Sequence, residues 1–342
     1  MAHDGGIGPE VPGEGVGATN LFVHPAAAAV YLLDGRGSAQ YMPEAVPLAA
    51  PTGKTFHVVV GSPASPEFRL WLKHEIGAVE ATVLTVPSTQ TRCQILDDKA
   101  VLILRMARPS AQPDDVGRQL MGIWIEKSRV ILVTDVNVAE LMGWTTHARL
   151  SHGPSSPGDL VARLGLRAAD RLEPLLEQIG DDLDRIEEAT IIGRARDFRL
   201  RLAALRRTMI GLRRLLWPQR DALNTLELEE MSYFSRKDRA RLREASQRTA
   251  RLGDELQALS ERAVLVHEHI LDQRSEQMNR AMLILAVVTT VFMPLTLITG
   301  MFGMNLHGIP FAENGAGFWV IAGFMVVVAV AEVAWFRRQK WF

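Results

Sequence analysis

Two long apolar runs lie near the C-terminal end of the chain. The first, residues 281–299, has 19 residues, and no formally charged residue occurs between Arg280 and Glu313. The second, residues 318–336, also has 19 residues and contains one acid, Glu332. Each is close to the ~20 residues that a helix needs to cross the ~30 Å hydrocarbon core of a bilayer. Soluble helices rarely stay apolar on every face over such a length, so the pattern predicts two membrane-spanning helices.

Basic residues occur before the first run and after the second, but not in the segment that connects them. Arg274 and Arg280 precede the first run, and Arg337, Arg338 and Lys340 follow the second. The connecting residues 300–317 contain no Lys or Arg. Because cytoplasmic flanks carry the excess of cations, we expect a multi-pass protein of the cell (inner) membrane with both termini in the cytoplasm.

Short aliphatic runs between residues 26 and 150 predict β-strands. They begin near residues 26, 57, 100, 121 and 129. The last two are separated only by Lys127 and Ser128, which predicts a hairpin. Helical patterns at 66–77 and 136–144 lie between strands, so this part of the chain is predicted to be a mixed α+β cytoplasmic domain.

The pattern after the Pro-, Gly- and Ser-rich residues 151–159 is helical throughout. One helix is predicted from Asp159 to Ile192 and a second from Ala195 to Leu216, ending before Pro218. The first contains an acidic run at residues 181–188, which is typical of a solvated face or of a surface that attracts cations.

A third helix is predicted to be unusually long. Ser235 followed by Asp238 is a typical helix start, and no proline occurs from Arg236 to Met293. At ~1.5 Å per residue these 58 residues span roughly 87 Å. We therefore expect a stalk helix that continues into the first membrane span, with Pro294 producing a kink rather than an end.

Two stripes of residues recur at helical spacing along this third helix. The first is an apolar seam: Leu242, Thr249, Leu252, Leu256, Leu259, Ala263, Val266 and Ile270. The second carries small polar, aliphatic and sulfur-containing residues: Asn279, Met282, Ala286, Thr289, Met293 and Thr296, with Leu285 beside them. The nine residues from Ile270 to Asn279 turn the helix by about 180°, so the stripes lie on opposite faces. The second stripe is either a helix-packing face or the lining of a pore.

Composition and charge exclude several classes of protein. With 342 residues, 47% of them hydrophobic, the chain is not disordered, and a net charge of -1 argues against a nucleic-acid binder. Cys93 is the single cysteine, which excludes an intramolecular disulfide. The Gly- and Pro-rich residues 1–25 lack the apolar segment of a signal peptide and predict a flexible leader. Phosphate-loop, zinc-protease and nucleophile-turn motifs are missing, so we do not expect an enzyme.

A glycine–methionine–asparagine tripeptide follows the first apolar run. It consists of Gly303, Met304 and Asn305, preceded by an aromatic residue and by PLTLITG at residues 294–300. This tripeptide before the second of two C-terminal spans, together with the stalk and the basic tail, resembles the CorA superfamily of divalent-cation transporters. The resemblance covers the whole architecture and is sharpest over residues 275–342.

The resemblance implies a CorA-like homopentameric funnel in which five first spans line one pore. It also implies that Gly303, Met304 and Asn305 form a selectivity mouth, with Asn305 meeting the hydrated cation at the outer end. The pore-lining positions that it implies are Asn279, Met282, Leu285, Thr289, Met293 and Thr296, which match the second stripe and are called the pore stripe below. The expected partners are further copies of the chain, the bilayer and the transported cation, with no resident cofactor and no nucleic acid.

The residues after the tripeptide favour zinc as the cation. Magnesium-transporting CorA proteins usually continue with an M-P-E-L string, whereas residues 305–310 read NLHGIP and resemble the ZntB branch, which is associated with zinc and with proton-coupled movement. His307 and Glu313 would form rings of imidazoles and carboxylates in a pentamer, and imidazole suits zinc, although His307 is equally consistent with a plain polar residue at the interface. The alternatives are a Mg²⁺/Co²⁺ channel and a membrane-anchored oligomeric scaffold.

These patterns together divide the chain into eight predicted segments. They are a leader (1–25), the cytoplasmic domain (26–150), a helical hairpin (151–234), the stalk (235–280), the first span (281–302), an outside loop (303–317), the second span (318–336) and a basic cytoplasmic tail (337–342).

Overall fold

The computed structural model describes most of the chain. It covers residues 28–42, 53–86, 90–108, 117–144, 153–192, 198–304 and 315–338. Two compact units are distinguished, Met1–Val264 and Leu265–Phe342, and each is treated by itself. The boundary between them falls inside the predicted stalk, and the predicted leader lies outside the described residues.

A seven-stranded mixed sheet forms the centre of the first unit. Its strands are β1 (Ala28–Leu33), β2 (Ala39–Met42), β3 (Phe56–Gly61), β4 (Arg92–Leu96), β5 (Lys99–Arg108), β6 (Gly117–Glu126) and β7 (Arg129–Thr134). The order is β2-β1-β3-β7-β6-β5-β4, and β3 and β7 are the parallel neighbours. The predicted hairpin is confirmed, since Glu126 pairs with Arg129 across the β6–β7 turn. The sequence pattern missed β2 and β4, which are the two edge strands and have few buried positions.

Both faces of the sheet are covered by helices. α1 (Pro66–Ile76) and α2 (Ala78–Thr85) pack on one face, where Val101 and Ile103 of β5 point. Leu102 and Leu104 of the same strand point to the other face, against buried residues of the later helices. This alternation follows from the two-residue period of a strand, and it explains why β5 reads as a continuous apolar run.

Four helices follow the helices α1 and α2 in the first unit before the stalk. They are α3 (Val138–Met142), α4 (Pro157–Asp170), α5 (Glu173–Ile191) and α6 (Arg199–Leu228). The prediction of one helix from Asp159 to Ile192 is therefore wrong. Pro174 stands in the first turn of α5, where its missing N–H costs nothing, so the chain restarts a helix there.

The predicted end of the next helix at Leu216 is also wrong, because α6 continues past Pro218. Leu215 and Leu216 before the proline and Leu223 after it are buried in the core. Burial of side chains on both sides contributes about 1.5–3 kcal/mol for each large aliphatic residue, which offsets the ~3 kcal/mol cost of an internal proline.

The stalk prediction is confirmed by α7 (Arg236–Phe302), a single helix of 67 residues. Its start is a reciprocal cap, in which the Ser235 hydroxyl accepts from the Asp238 amide at 3.2 Å and the Asp238 carboxylate accepts from the Ser235 amide at 2.8 Å. Pro294 lies inside the helix and does not end it.

The second unit contains the C-terminal part of α7 together with α8 (Gly317–Arg338). Both segments are long and apolar enough to cross a membrane. Large side chains such as Phe292, Leu297 and Trp319 are 61%, 65% and 74% exposed. Apolar surface on this scale is unfavourable in water and favourable in lipid, which agrees with two membrane-spanning helices.

Candidate ion pathway

The pore stripe lies on an exposed face of α7. All six of its residues are exposed in the single chain: Asn279, Met282, Leu285, Thr289, Met293 and Thr296. Met282, Leu285 and Met293 have exposed fractions of 59%, 67% and 68%. The six side chains therefore share one surface of the helix that the described part of the chain leaves open.

Three side chains on the other side of α7 are less exposed than the pore stripe. Leu283 and Val291 are half-buried and Val287 is only 8% exposed. Each precedes a residue of the pore stripe by two positions, a step of about 200° around an α-helix. Further along, α7 and α8 line a common apolar cavity of about 940 Å³, to which they contribute Thr299 and Phe318. The pore stripe thus points away from α8.

The threonines of the pore stripe donate their hydroxyl protons to backbone carbonyls of the same helix. Thr289 Oγ1 donates to the Leu285 carbonyl at 2.9 Å, and Thr296 Oγ1 donates to the Phe292 carbonyl at 2.7 Å. A hydroxyl has one proton and two acceptor lone pairs, so only acceptor capacity remains on the open face. Oxygens of this kind accept hydrogen bonds from the water around a cation, which favours a hydrated cation over an anion.

An open groove of about 870 Å³ extends the pore stripe toward the end of α7. Its lining includes Thr289, Met293 and Thr296, and continues to Gly300 and Met304. The sequence reasoning missed Gly300, although the signal was present because this residue follows Thr296 by four positions. A Cβ at Gly300 would meet no atom within 4 Å in this chain. We add Gly300 to the candidate pathway.

The tripeptide begins where α7 ends. The Gly303 amide donates to the Thr299 carbonyl at 2.9 Å, and Met304 is 47% exposed. Asn305, His307 and Glu313 lie outside the described residues. Within the described ranges, no group of three or more His, Cys, Asp or Glu side chains is placed to hold a metal ion.

A buried carboxylate joins α4 to α7 in the first unit. The Asp159 side chain is 1% exposed and accepts hydrogen bonds from the Ser155 amide at 2.9 Å, from Arg163 at 3.1 Å and from Arg241 of α7. Burial by itself raises the pKa of this carboxyl, but the Ser155 amide and the two guanidinium groups outweigh it and hold the pKa below its usual range. Asp159 is therefore ionised at neutral pH and fixes the first turns of α7.

The acidic run at residues 181–188 is largely solvent-exposed, as one of the two interpretations expected, and three of its carboxylates also pair with arginines of neighbouring helices. Asp184 and Glu187 accept from Arg262 of α7 at 2.8 and 2.5 Å, and Asp182 accepts from Arg201 of α6 at 2.5 Å. These partly exposed pairs link α5 to its neighbouring helices, and the sequence pattern does not reveal them because the partners lie on other helices.

A family assignment follows from comparison with known proteins. The sequence profile of the family described as CorA-like Mg²⁺ transporter protein matches residues 59–338, which is most of the chain. The chain belongs to the CorA family. It is a membrane-embedded divalent-cation transporter rather than an enzyme, and its two C-terminal spans are those of a CorA-type membrane protein.

Individual relatives of this CorA-family chain carry different names. The divalent cation transporter CmaX of Pseudomonas aeruginosa is 31% identical over 284 residues, covering 81% of this chain and 84% of CmaX. The zinc transport protein ZntB of Pectobacterium atrosepticum is 26% identical over 323 residues, covering 93% of this chain and 97% of ZntB.

Solved CorA-family structures share this fold. The full-length CmaX structure is similar with a TM-score of 0.75 and 29% identity, and covers 92% of this chain and 98% of CmaX. The CorA magnesium transporter of Methanocaldococcus jannaschii gives a TM-score of 0.76 at 20% identity, over 93% of this chain and 99% of that protein. The predicted fold class, an α+β domain with a long stalk helix and two C-terminal apolar helices, is confirmed.

Proposed function

We propose that this CorA-family chain assembles as a homopentamer that moves Zn²⁺ through a central pore. The pore stripe lines the path, Asn305 meets the ion at the outer mouth, and both termini lie in the cytoplasm. The observation that carries the proposal is the exposed pore stripe on the face of α7 opposite to α8, with its threonine oxygens available as acceptors.

The need for several copies follows from the geometry of one helix. A single exposed face cannot enclose an ion, because the described part of the chain leaves the pore stripe open along its whole length. In the proposed pentamer, closed rotational symmetry around that face places five copies of each threonine oxygen in a ring. Rings of hydroxyls suit a hydrated cation. The methionine and leucine constrictions between them can close the pore when water leaves these apolar segments.

The choice of Zn²⁺ is supported by the loop sequence and by one group of relatives. Residues 305–310 continue the tripeptide as NLHGIP, and His307 supplies an imidazole, which binds zinc better than magnesium. The ZntB protein of Pectobacterium atrosepticum, named for zinc transport, aligns over 93% of this chain. Mg²⁺ or Co²⁺ is the second candidate, and the description of the family names Mg²⁺. Membership of a transporter family displaces the scaffold hypothesis.

Energy for transport comes from gradients in this proposal. The sequence has no phosphate loop, so we expect the ion gradient, the membrane potential or protons to drive movement. No resident cofactor is required, since the divalent cation is the substrate.

Flux into proteoliposomes tests the proposal. Purified protein is reconstituted, and uptake of Zn²⁺, Mg²⁺ and Co²⁺ is followed with and without an inward proton gradient. We expect Zn²⁺ uptake that rises with the proton gradient and little Mg²⁺ uptake. Proton-independent Mg²⁺ uptake would favour the second candidate, and an absence of flux for Zn²⁺, Mg²⁺ and Co²⁺ would refute the proposal.

A matched pair of threonine variants tests the pore stripe itself. Thr289→Val removes an acceptor oxygen from the open face while keeping the side-chain shape, and should slow uptake about tenfold, or ~1.4 kcal/mol in the barrier. Thr299→Val removes a hydroxyl that faces the cavity shared with α8 and should leave uptake near the wild-type rate. Equal effects of the two variants would contradict the assignment of the lining.

Asn305→Ala tests the outer mouth. It should abolish most uptake while the pentamer, measured by light scattering in detergent, stays intact. Unchanged uptake would exclude Asn305 from the pathway, whereas loss of the pentamer would assign it to assembly instead.

A further inference from the structure

The exposed face of α6 carries a stripe of arginines. From Arg199 to Arg220 the sequence contains no acid. Seven residues turn an α-helix by about 700°, which is close to two full turns, so residues seven apart lie on one face. Two neighbouring series of this kind form the basic stripe: Arg199, Arg206 and Arg213, and Arg207 with Arg214. These side chains are exposed or half-buried, and none of them forms an ion pair among the residues that the structure describes.

The exposed face of α5 carries the opposite charge at the same spacing. Glu173 and Asp184 on this face pair with arginines of α7. Three further exposed acids on it have no cationic partner within the described ranges, and they form the acidic stripe: Glu177, Asp181 and Glu188. Asp181 and Glu188 are seven residues apart, and so are Glu177 and Asp184.

The two stripes of one chain do not face each other. Asp182 pairs with Arg201 at 2.5 Å, so these residues mark the sides on which α5 and α6 meet. At 100° per residue, every member of the acidic stripe lies about 100° or more around α5 from Asp182, and every member of the basic stripe lies about 120° or more around α6 from Arg201. A carboxylate surface that neutralises the basic stripe therefore belongs to another molecule.

We propose that the basic stripe of one copy packs against the acidic stripe of the next copy in the ring. This inference rests on the proposed homopentamer and assigns part of its interface. A cyclic ring joins two different faces of each chain at every interface, so each copy needs a complementary pair of surfaces. The charges of the two stripes are opposite, and their common repeat of seven residues is about 10.5 Å along each helix. Ile210, which is 53% exposed within the basic stripe, adds apolar surface to the contact.

Zero-length cross-linking of the full-length protein in detergent tests this contact. A water-soluble carbodiimide couples a carboxylate to a lysine amine and not to an arginine, so Arg206→Lys with Arg213→Lys places reactive amines in the basic stripe. Compared with wild type, we expect more products of two or more chains on denaturing gels. Mass spectrometry should find positions 206 and 213 joined to peptides that contain residues 177–188.

Arg201→Lys is the matched control for the cross-linking. Arg201 lies on the same helix and pairs with Asp182 of its own chain. Its replacement should therefore give a link within one chain, with no increase in products of two or more chains over wild type.

Charge reversal gives a second test in the full-length protein. Arg206→Glu with Arg213→Glu, and separately Asp181→Arg with Glu188→Arg, bring like charges together at every proposed interface. Each pair should raise the fraction of chains that dissociate on dilution in detergent several-fold. A chain with all four substitutions should recover much of the wild-type assembly, because opposite charges then face each other again.

The outcomes distinguish this contact from the pentamer itself. Intact pentamers in light scattering, without links between chains at positions 206 and 213, would refute the contact and leave the proposed function standing. Links to carboxylates outside residues 177–188 would refute the acidic stripe as the partner, and so would a lack of recovery in the fourfold variant. A wild-type protein that is monomeric would instead refute the proposed homopentamer, and this contact with it.

Discussion

Removal of the Asp159 carboxylate is expected to weaken the first unit strongly. Asp159 is 1% exposed and is the shared acceptor for Arg163 and Arg241. It also accepts from both the amide and the hydroxyl of Ser155, at 2.9 and 3.1 Å. Asp159→Ala removes the acceptor that these donors share and weakens the link between α4 and the first turns of α7.

The magnitude follows from burial on the two sides of this network. Breaking a buried ion pair costs about 3–5 kcal/mol. The side chains of Arg163 and Arg241 are 30% and 29% exposed, so they can turn partly to solvent, and we take the lower end, about 3 kcal/mol. For a unit of this size, 1 kcal/mol corresponds to about 2–4 °C in unfolding temperature, which predicts a decrease of about 6–12 °C.

Thermal unfolding in detergent measures this decrease. The emission of Trp124 and Trp144, which are buried in the first unit, follows its unfolding. Asp221→Ala is the control, because Asp221 also pairs with an arginine, Arg220, but its side chain is 64% exposed. Exposed pairs contribute little, so the control should shift by about 2 °C or less. An Asp159→Ala protein that unfolds within 2 °C of wild type would refute the assigned role.

The pH dependence of this effect has a defined sign. The pKa of Asp159 is lowered in the folded state, so its contribution is fully present above the unfolded-state value near 4. The contribution is lost as pH falls through the lower folded-state pKa. The difference in unfolding temperature between wild type and Asp159→Ala should therefore be constant from pH 5 to 8 and shrink below about pH 4.

Three further outcomes are expected. A Cβ at Gly122 would lie 2.8 Å from the Leu84 carbonyl oxygen, a backbone atom with little freedom to move, so Gly122→Ala should lower the free energy of unfolding by about 1–3 kcal/mol in urea titrations. A Cβ at Gly253 of α7 would meet nothing within 4 Å, so Gly253→Ala should raise that free energy by about 0.5–1 kcal/mol, and a decrease would reveal another chain packed there. Burial, with a smaller effect of Glu229, raises the pKa of the Cys93 thiol to about 12. At pH 8 the folded protein should react with maleimide roughly a thousandfold more slowly than the urea-unfolded protein, and comparable rates would contradict the burial.

The elements that were predicted correctly are those whose pattern lies within a short stretch of neighbouring residues. The two apolar runs, the capped start at Ser235 and the unbroken pattern up to Pro294 each involve neighbouring residues, and α7 and α8 form where those patterns indicate. The pore stripe is local in the same sense, since its spacing is a property of one helix. Gly300 belongs to the same periodic series and was available to the same reasoning.

Other features depended on contacts between distant segments. Edge strands β2 and β4 lack a buried apolar pattern and form because a neighbouring strand offers hydrogen-bond partners. α6 continues through Pro218 because core packing on both sides outweighs a local preference.

The sequence by itself determined the spans, the long helix and the chemistry of the pore stripe, because hydrophobic length and helical period are read along the chain. Only the tertiary structure decided that Asp159 is an ionised link to Arg241 and that the acidic run binds Arg262. The residues of these pairs are 82 and 75 positions apart. The sequence does not show whether a carboxylate is surrounded by water or paired with a guanidinium group. The fold determines this, because it brings distant residues together.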